Sequence, residues 1–252
     1  MKHFQPKILR FDSLASTNTE AARQAAQGAA EGLCIVADEQ TAGRGRLQRP
    51  WLSPKGAGLY FSIVLRPRID QSAWPVITLM ASLAVHDALR VSCKLETDIK
   101  WPNDLLVNER KLCGVLAETV ETPLGRAVII GIGINLTADA LPVALQDRAT
   151  SVEMETNNSA ESKAVLQALV NALERRYELL QSTGGRDEII REWCARSSYA
   201  SGKRIRIANG EEILAGTTRG LESNGALRVE TDAGEIKSVS AGDVTILGTT
   251  SP

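Results

Sequence analysis

The sequence predicts an α+β protein, with a large domain built on a mixed β-sheet followed by a small β-barrel. Up to about Arg196, helical and strand patterns are interleaved without strict βαβ alternation, which favours a mixed sheet over a doubly wound one. Beyond that point the chain turns into short strands punctuated by turn residues, about five of them in about 50 residues. A chain of 252 residues can bury a core of its own in the larger unit. The boundary is placed between residues 1–198 and 199–252.

The elements follow in order. Residues 19–27 read as a helix opened by Thr17 and Glu20 as a capping box. Residues 33–38 and 59–65 are apolar strand candidates. Residues 73–90 carry Val76, Leu79, Met80 and Leu83 at helical spacing, which puts His86 on the helix surface. Residues 97–101 form a strand that Pro102 breaks, leaving Asn103 and Asp104 on a turn. Residues 108–111 look like a hairpin end, and 112–120 and 127–134 are strands. The polar stretch 137–158 reads as a surface excursion. Val165, Leu166, Leu169, Leu173, Tyr177 and Leu180 mark a helix over 161–180, stopped by Gly184-Gly185, and another helix covers 187–195. In the last region 203–208 alternates polar and apolar residues. Asn209-Gly210, Asn224-Gly225 and Ala233-Gly234 supply turns, and 244–247 ends the set.

Composition excludes several classes. Hydrophobic residues make up 43%, charged residues 23%, and the formal net charge is -1, so no overall basic field points to nucleic acid. No apolar run approaches the roughly 20 residues of a membrane span. Residues 1–10 contain no apolar signal region, so a cytoplasmic location without membrane attachment is expected. Cys34, Cys93, Cys113 and Cys194 are scattered and read as reduced thiols. His3 and His86 are the only histidines, which leaves little material for a histidine metal site, and no protein metal site is expected.

Four segments carry candidate chemistry. Gly43-Arg44-Gly45-Arg46-Leu47-Gln48 begins like a dinucleotide fingerprint but has Gln48 at the third glycine position, and it runs into Arg49-Pro50-Trp51 instead of a helix. Its arginines offer planar forks for phosphate or carboxylate, and its glycines allow close backbone approach. A solvated or RNA-touching basic loop remains open on spacing alone. Ser16-Thr17-Asn18 groups short hydrogen-bonding side chains suited to a neutral urea or amide. Lys100-Trp101-Pro102-Asn103-Asp104 precedes Arg110-Lys111-Leu112-Cys113-Gly114-Val115-Leu116, whose Lys111 opens an apolar strand at a pocket edge. In Gly131-Ile132-Gly133-Ile134-Asn135 the alternating glycines imply close approach of a ligand or of other parts of the chain.

Taken together and in this order, these segments resemble the biotin–protein ligase family, and the resemblance spans about residues 8 to 248. It implies a mixed-sheet catalytic domain of the type shared with lipoate ligases, followed by an SH3-like β-barrel. The implied activity is ATP-dependent activation of biotin to biotinyl-5′-AMP, then transfer to a lysine of a biotin carboxyl carrier protein of acetyl-CoA carboxylase. Biotin and ATP are implied as substrates, with Mg2+ held mainly by phosphates and water.

The resemblance also assigns roles. Ser16, Thr17, Asn18 and Gln40 match positions at biotin's ureido end, and Gly43, Arg44, Gly45 and Arg46 match the loop that closes over biotin and its adenylate. Arg46, Arg49, Trp51, Asn103, Lys111 and Asn135 match nucleotide-side positions. Lys111 also matches the lysine at the reacting carboxylate, and Gly114 and Leu116 line the biotin channel. Asp104 is the residue to test as a base for the carrier lysine, against a purely structural role. Gln48 stands where many relatives have glycine.

The short stretch before Phe11 is not expected to form a helix-turn-helix, so no DNA binding by that route is expected. The oligomeric state is left open, a homodimer included. The rival readings are a lipoate or octanoate ligase on the same fold, a nonenzymatic nucleic-acid-binding module, and a biotin sensor without transfer activity.

Overall fold

The computed structural model describes residues 6–210 and 212–247, and His3 lies outside them. Strand β1 (Lys7–Phe11) leads through helix α1 (Thr17–Ala26) to β2 (Leu33–Ala37), which pairs with β1 in parallel. The remaining strands are β3 (Gly58–Leu65), β4 (Asp98–Lys100), β5 (Asp104–Val107), β6 (Arg110–Val120) and β7 (Ala127–Asn135). They complete a seven-stranded sheet in the order β1-β2-β3-β7-β6-β5-β4. One parallel pair in an otherwise antiparallel sheet makes it mixed, as expected. Two strands were not legible. β1 is a half-exposed edge with mixed polarity, and β5 has only four residues directly after the Pro102 turn. The Trp101–Pro102 peptide is cis.

One face of the sheet packs on α2 (Pro75–Cys93), α4 (Ser162–Gln181) and α5 (Gly185–Ala195). Phe61, Ile63, Val115, Ile130 and Ile132 meet Leu79, Met80, Leu83, Leu169 and Leu173 in this core. α2 has 19 residues and holds an 18-residue window with a mean hydropathy of 1.4, long and apolar enough to cross a membrane, yet most of that window is buried inside the protein. His86 corrects another expectation. It is 5% exposed, not on the helix surface, with Nδ1 3.0 Å from Thr97 Oγ1 and Nε2 3.5 Å from Glu96 Oε2. Burial depresses its pKa, and Glu96 and Asp87 only partly oppose this. Arg176 of α4 donates to Asp87 of α2 at 2.8 Å and reaches Glu192 of α5 at 2.8 Å, so one guanidinium ties the three helices.

The stretch 137–158 is not a plain surface excursion. It contains short 3-10 turns at Ala138–Ala140 and Val143–Leu145 and helix α3 (Val152–Thr156). Ala140, Leu141, Thr150, Ser151 and Val152 are buried, and Thr150 and Arg148 bond the Lys111 backbone in the manner of an added strand. Polar composition hid this because the buried hydroxyls of Thr150 and Ser151 are satisfied within the segment.

The C-terminal strands β8 (Ser201–Asn209), β9 (Glu212–Leu221), β10 (Leu227–Glu230), β11 (Ile236–Val239) and β12 (Asp243–Ile246) form one antiparallel sheet, ordered β11-β10-β9-β8-β12. Bulges in the β8–β9 and β9–β10 pairings bend it. Five strands and the three expected turns agree with the reading of a small SH3-like unit. Ile205, Ile207, Leu227, Val229 and Val244 continue the core of the larger sheet, and buried Trp101 donates from Nε1 to Gly225 O at 3.1 Å. Both sheets therefore share one apolar interior.

Candidate active site

Cross-strand register builds the floor of the site. On the face opposite α2, three rows cross β3, β7 and β6: Val64–Ile129–Glu118, Ser62–Gly131–Leu116 and Tyr60–Gly133–Gly114. Helix α1 covers the first row, where Ala21 and Ala25 meet Val64 and Ile129. The other two rows remain open and underlie a cavity of ≈ 290 Å³. Their glycines admit side chains from the 43–51 loop and from the first turn of α1. A Cβ on Gly133 would lie 2.5 Å from Trp51 Nε1, and one on Gly131 would lie 2.2 Å from Asn18 Oδ1. The close approach predicted from glycine alternation is thus made by Trp51 and Asn18.

One end of the cavity is a neutral hydrogen-bonding cluster. Thr17 donates to Gln40 Oε1 from its backbone N at 2.8 Å and from Oγ1 at 3.1 Å, and Gln40 Nε2 donates to Ser53 Oγ at 2.9 Å. Fully buried Ser62 Oγ lies 2.8 Å from Thr17 Oγ1 and 2.6 Å from Asn18 Oδ1, with one proton to share between them. Asn18 Nδ2 donates to Glu118 Oε2 at 2.7 Å, and Arg44 Nη2 reaches both Glu118 oxygens at 3.0 Å. The expected capping box does not form. Ser16 is the N-cap without a side-chain bond, Thr17 turns into the cluster, and Glu20 pairs with Arg23. The lost cap is offset by what Thr17 gains, because hydroxyls in this position can bond elsewhere than to the helix end.

The other end is cationic. The 43–51 loop closes on itself through Trp51 N to Gly43 O at 2.9 Å and Gly45 N to Arg49 O at 2.8 Å. Between these bonds, the 3-10 turn Arg46–Gln48 holds Leu47 at φ 54° and Gln48 at φ 57°. Arg46 Nη1 lies 3.2 Å from Asn103 Oδ1 and 3.2 Å from Gly242 O, and Arg49 pairs with Asp243. Asn103 is fixed in turn by donating to Val115 O at 2.8 Å.

Lys111 reaches this end because of a β-bulge. Leu105 pairs with Cys113, yet Leu106 pairs with Lys111, so Leu112 is the extra residue. Without it Lys111 would share the core face of Cys113. With it the ammonium stands 2.7 Å from Asp104 Oδ1 and 5.3 Å from the centre of the Trp51 ring. Asp104 is the first residue of β5, not a turn residue, and its strand partners are Lys100 and Gly114. Burial lowers the pKa of Lys100, and Asp104 opposes that shift. Ala140, Leu141, Leu145 and Ala149 add an apolar wall. Asn135 is buried and donates to Thr150 O at 3.0 Å, which joins that wall to β7.

Of the residues singled out in the sequence, Ser16, Thr17, Asn18, Gln40, Arg44, Gly45, Arg46, Arg49, Trp51, Asn103, Asp104, Lys111, Gly114, Leu116 and Asn135 all line this one cavity. Gly43 does not. It sits behind the loop, where a Cβ would lie 2.5 Å from Trp51 O. Ser62, Glu118, Asp243 and the apolar wall were not singled out. Glu118 had a signal, since period-2 alternation along β6 places it on the face of Gly114 and Leu116. Asp243 had none, because only the tertiary fold brings it here.

Among the described residues no group of three His, Cys, Asp or Glu side chains is placed to hold a metal ion. The carboxylates lining the cavity, Asp104 and Asp243, are each already paired with a cation.

The family model described as biotin/lipoate A/B protein ligase matches residues 10–135, and that of the biotin protein ligase C-terminal domain matches residues 200–247. The chain belongs to the biotin/lipoate A/B protein ligase family. The Bacillus subtilis protein named bifunctional ligase/repressor BirA is 38% identical over 94% of this chain and 73% of its own length. The Paracoccus denitrificans biotin–[acetyl-CoA-carboxylase] ligase is 35% identical over 87% of this chain and 92% of its own. Among solved structures, the Aquifex aeolicus biotin protein ligase in complex with biotin and ATP superposes with a TM-score of 0.83 at 28% identity, covering 98% of this chain and 99% of that one. In this family member the cavity joins a neutral hydrogen-bonding pocket to a set of cations over one continuous floor. That geometry suits a ligand with a neutral polar head and an acid tail, laid against a phosphate-bearing partner.

Proposed function

We infer that this chain is a biotin–protein ligase, which forms biotinyl-5′-AMP from biotin and ATP and passes the biotinyl group to a lysine of a carboxyl carrier protein. The observation that carries this is the meeting, in one cavity, of Thr17, Asn18 and Gln40, backed by buried Ser62, with Arg46, Arg49 and Lys111. A ureido ring has donors and acceptors for the first group. A dithiolane ring has no N–H donor or carbonyl acceptor, so a lipoate substrate would gain no comparable hydrogen bonds from this cluster.

In the first step a biotin carboxylate oxygen attacks the α-phosphorus of ATP. The bond to the bridging oxygen breaks and pyrophosphate leaves. Two anions must approach each other, and Lys111 with Arg46 offsets their repulsion as charge builds on the α-phosphate oxygens. Holding the two groups in line on the glycine floor supplies much of the remaining acceleration. Magnesium, where it accompanies ATP, would be held mainly by the nucleotide's phosphates and water. Trp51 and the apolar wall of 140–149 flank the nucleotide side, and the 43–51 loop shields the mixed anhydride from water.

In the second step the carrier lysine, as a neutral amine, attacks the acyl carbon and AMP leaves. Asp104, one of two carboxylates lining the cavity, is our candidate to take its proton, against a purely structural role. The carrier is assigned from the relatives' names as a biotin-accepting subunit of acetyl-CoA carboxylase. The test is biotin-dependent exchange of labelled pyrophosphate into ATP, followed by the mass shift of a carrier domain. Exchange driven by lipoate in place of biotin would overturn the substrate assignment.

A further inference from the structure

The cations along the cavity are not equivalent. Arg44 is held by Glu118, Lys111 by Asp104 and Arg49 by Asp243, whereas Arg46, among the described residues, rests on the neutral oxygens of Asn103 and Gly242. Two of these contacts, Asp243 and Gly242 O, come from the C-terminal sheet, which otherwise stands apart from the floor and walls. The turn that delivers them is tightly built. Gly242 lies at φ 152°, and a Cβ there would come within 2.4 Å of Ile207 Cγ2 on β8, so only glycine seats this carbonyl toward Arg46.

We propose that Asp243 is a resident counter-anion for the nucleotide-binding loop, a carboxylate of the C-terminal sheet that occupies Arg49 until the phosphates of ATP displace it. The proposal rests on the ligase reading, which places the phosphates at this end of the cavity. A carboxylate presents to a guanidinium the same pair of acceptor oxygens as a phosphate does. Without a counter-anion the loop's arginines would repel one another and the nearby Lys100 and Lys111. Lys100 also feels Asp243 directly, in the direction that sustains its charge. ATP binding is then an anion exchange, and its apparent affinity is reduced by the fraction of molecules in which Asp243 holds the arginine. Arg49 is 66% exposed and Asp243 31%, so water screens the pair and exchange is cheap. Asp243 is thus a positioning residue that sets nucleotide affinity, and it gives the C-terminal sheet a part in the first step.

The test uses the full chain in biotin-dependent pyrophosphate exchange, with KM read separately for ATP and for biotin. Asp243→Asn is expected to lower the KM for ATP about two- to fivefold, the range set by an exposed ion pair, and to leave the KM for biotin unmoved. Asp243→Glu, which keeps the charge, should stay with the wild type. Asp232→Asn breaks the Arg204–Asp232 pair elsewhere on the same unit and should change neither constant. An ATP KM that is unchanged or higher in Asp243→Asn overturns the proposal, the second outcome marking Asp243 as a contributor to nucleotide binding. Calorimetry with inorganic pyrophosphate gives the same comparison without turnover, and tighter binding by Asp243→Asn is the supporting result. Absence of any exchange in the wild type would instead remove the ligase reading, while the pyrophosphate comparison would still decide the role of Asp243.

Discussion

Lys111 Nζ stands 2.7 Å from Asp104 Oδ1 across the β5–β6 pairing, and a single inserted residue, Leu112, puts it there. The pair joins the cation proposed for adenylate formation to the carboxylate proposed for carrier attack. Neither group can be altered without changing the other's surroundings, so the two steps must be measured separately.

Lys111→Ala removes the ammonium and leaves Asp104 facing the incoming carboxylate and phosphates. Biotin-dependent pyrophosphate exchange is expected to slow by roughly 100-fold or more, the scale of losing one electrostatic stabiliser plus an added like-charge contact. Near-normal exchange would take Lys111 out of the first step.

Asp104→Asn keeps the shape of the side chain and removes the proton acceptor. With preformed biotinyl-AMP supplied, transfer to a carrier domain should fall by about 100-fold, the low end of general-base contributions. A rate equal to that of the wild type would leave Asp104 only its structural pairing with Lys111.

Arg46 bonds Asn103 and Gly242 O, and so ties the 43–51 loop to the Pro102 turn and to the C-terminal sheet. Arg46→Gly cuts both ties. Release of biotinyl-AMP into solution should speed up about tenfold, the equivalent of about 1.4 kcal/mol for one charge-assisted contact. A release assay that finds no difference would show that the loop shields the adenylate without Arg46.

Much of this site was legible because its pieces are local. The glycine alternation of β7 and the arginine spacing of the 43–51 loop are properties of short segments, and they announced close approach and anion binding before any fold was known. What could not be read depends on distance along the chain. Glu118 serves Asn18 from a position 100 residues away, and Asp243 serves Arg49 from 194. The bulge at Leu112 is equally hidden, because simple alternation along β6 would send Lys111 into the core. The capping-box error had a different cause. The Thr17 hydroxyl had a local use and a tertiary one, and the tertiary network won.

Gln48 follows Leu47 in the left-handed region, two successive non-glycine residues at positive φ in the loop that closes the site. Each costs about 1–2 kcal/mol of backbone energy, against about 0.5–1 kcal/mol of extra chain entropy lost when glycine is fixed instead. Gln48→Gly should therefore stabilise the protein by up to about 1.5 kcal/mol. Gln48→Val, branched at Cβ, should destabilise it by more than about 1 kcal/mol. Denaturant unfolding that places both variants together would show that the loop does not need this backbone.

His86 gives a pH dependence whose sign can be worked out. Burial depresses its folded pKa below the ordinary 6.5, with Thr97 accepting at or facing Nδ1, Glu96 and Asp87 favouring the charge, and Arg196 opposing it. Well above pH 6.5 the ring is neutral in both folded and unfolded chains, and it contributes no slope. As pH falls below 6.5 the unfolded chain takes up a proton that the folded protein refuses, so stability falls. The loss runs at up to about 1.4 kcal/mol per pH unit and levels off below the folded pKa. His86→Gln removes the titration while retaining a polar side chain beside Thr97. The wild type and the variant should thus run parallel from pH 8 to about 7 in urea unfolding and diverge on acidification, with the wild type losing more. His3 is present in both proteins and cancels in the difference. Curves that remain parallel down to pH 5 would mean that His86 is protonated equally easily in the folded and unfolded chains, and that burial on α2 does not exclude its charge.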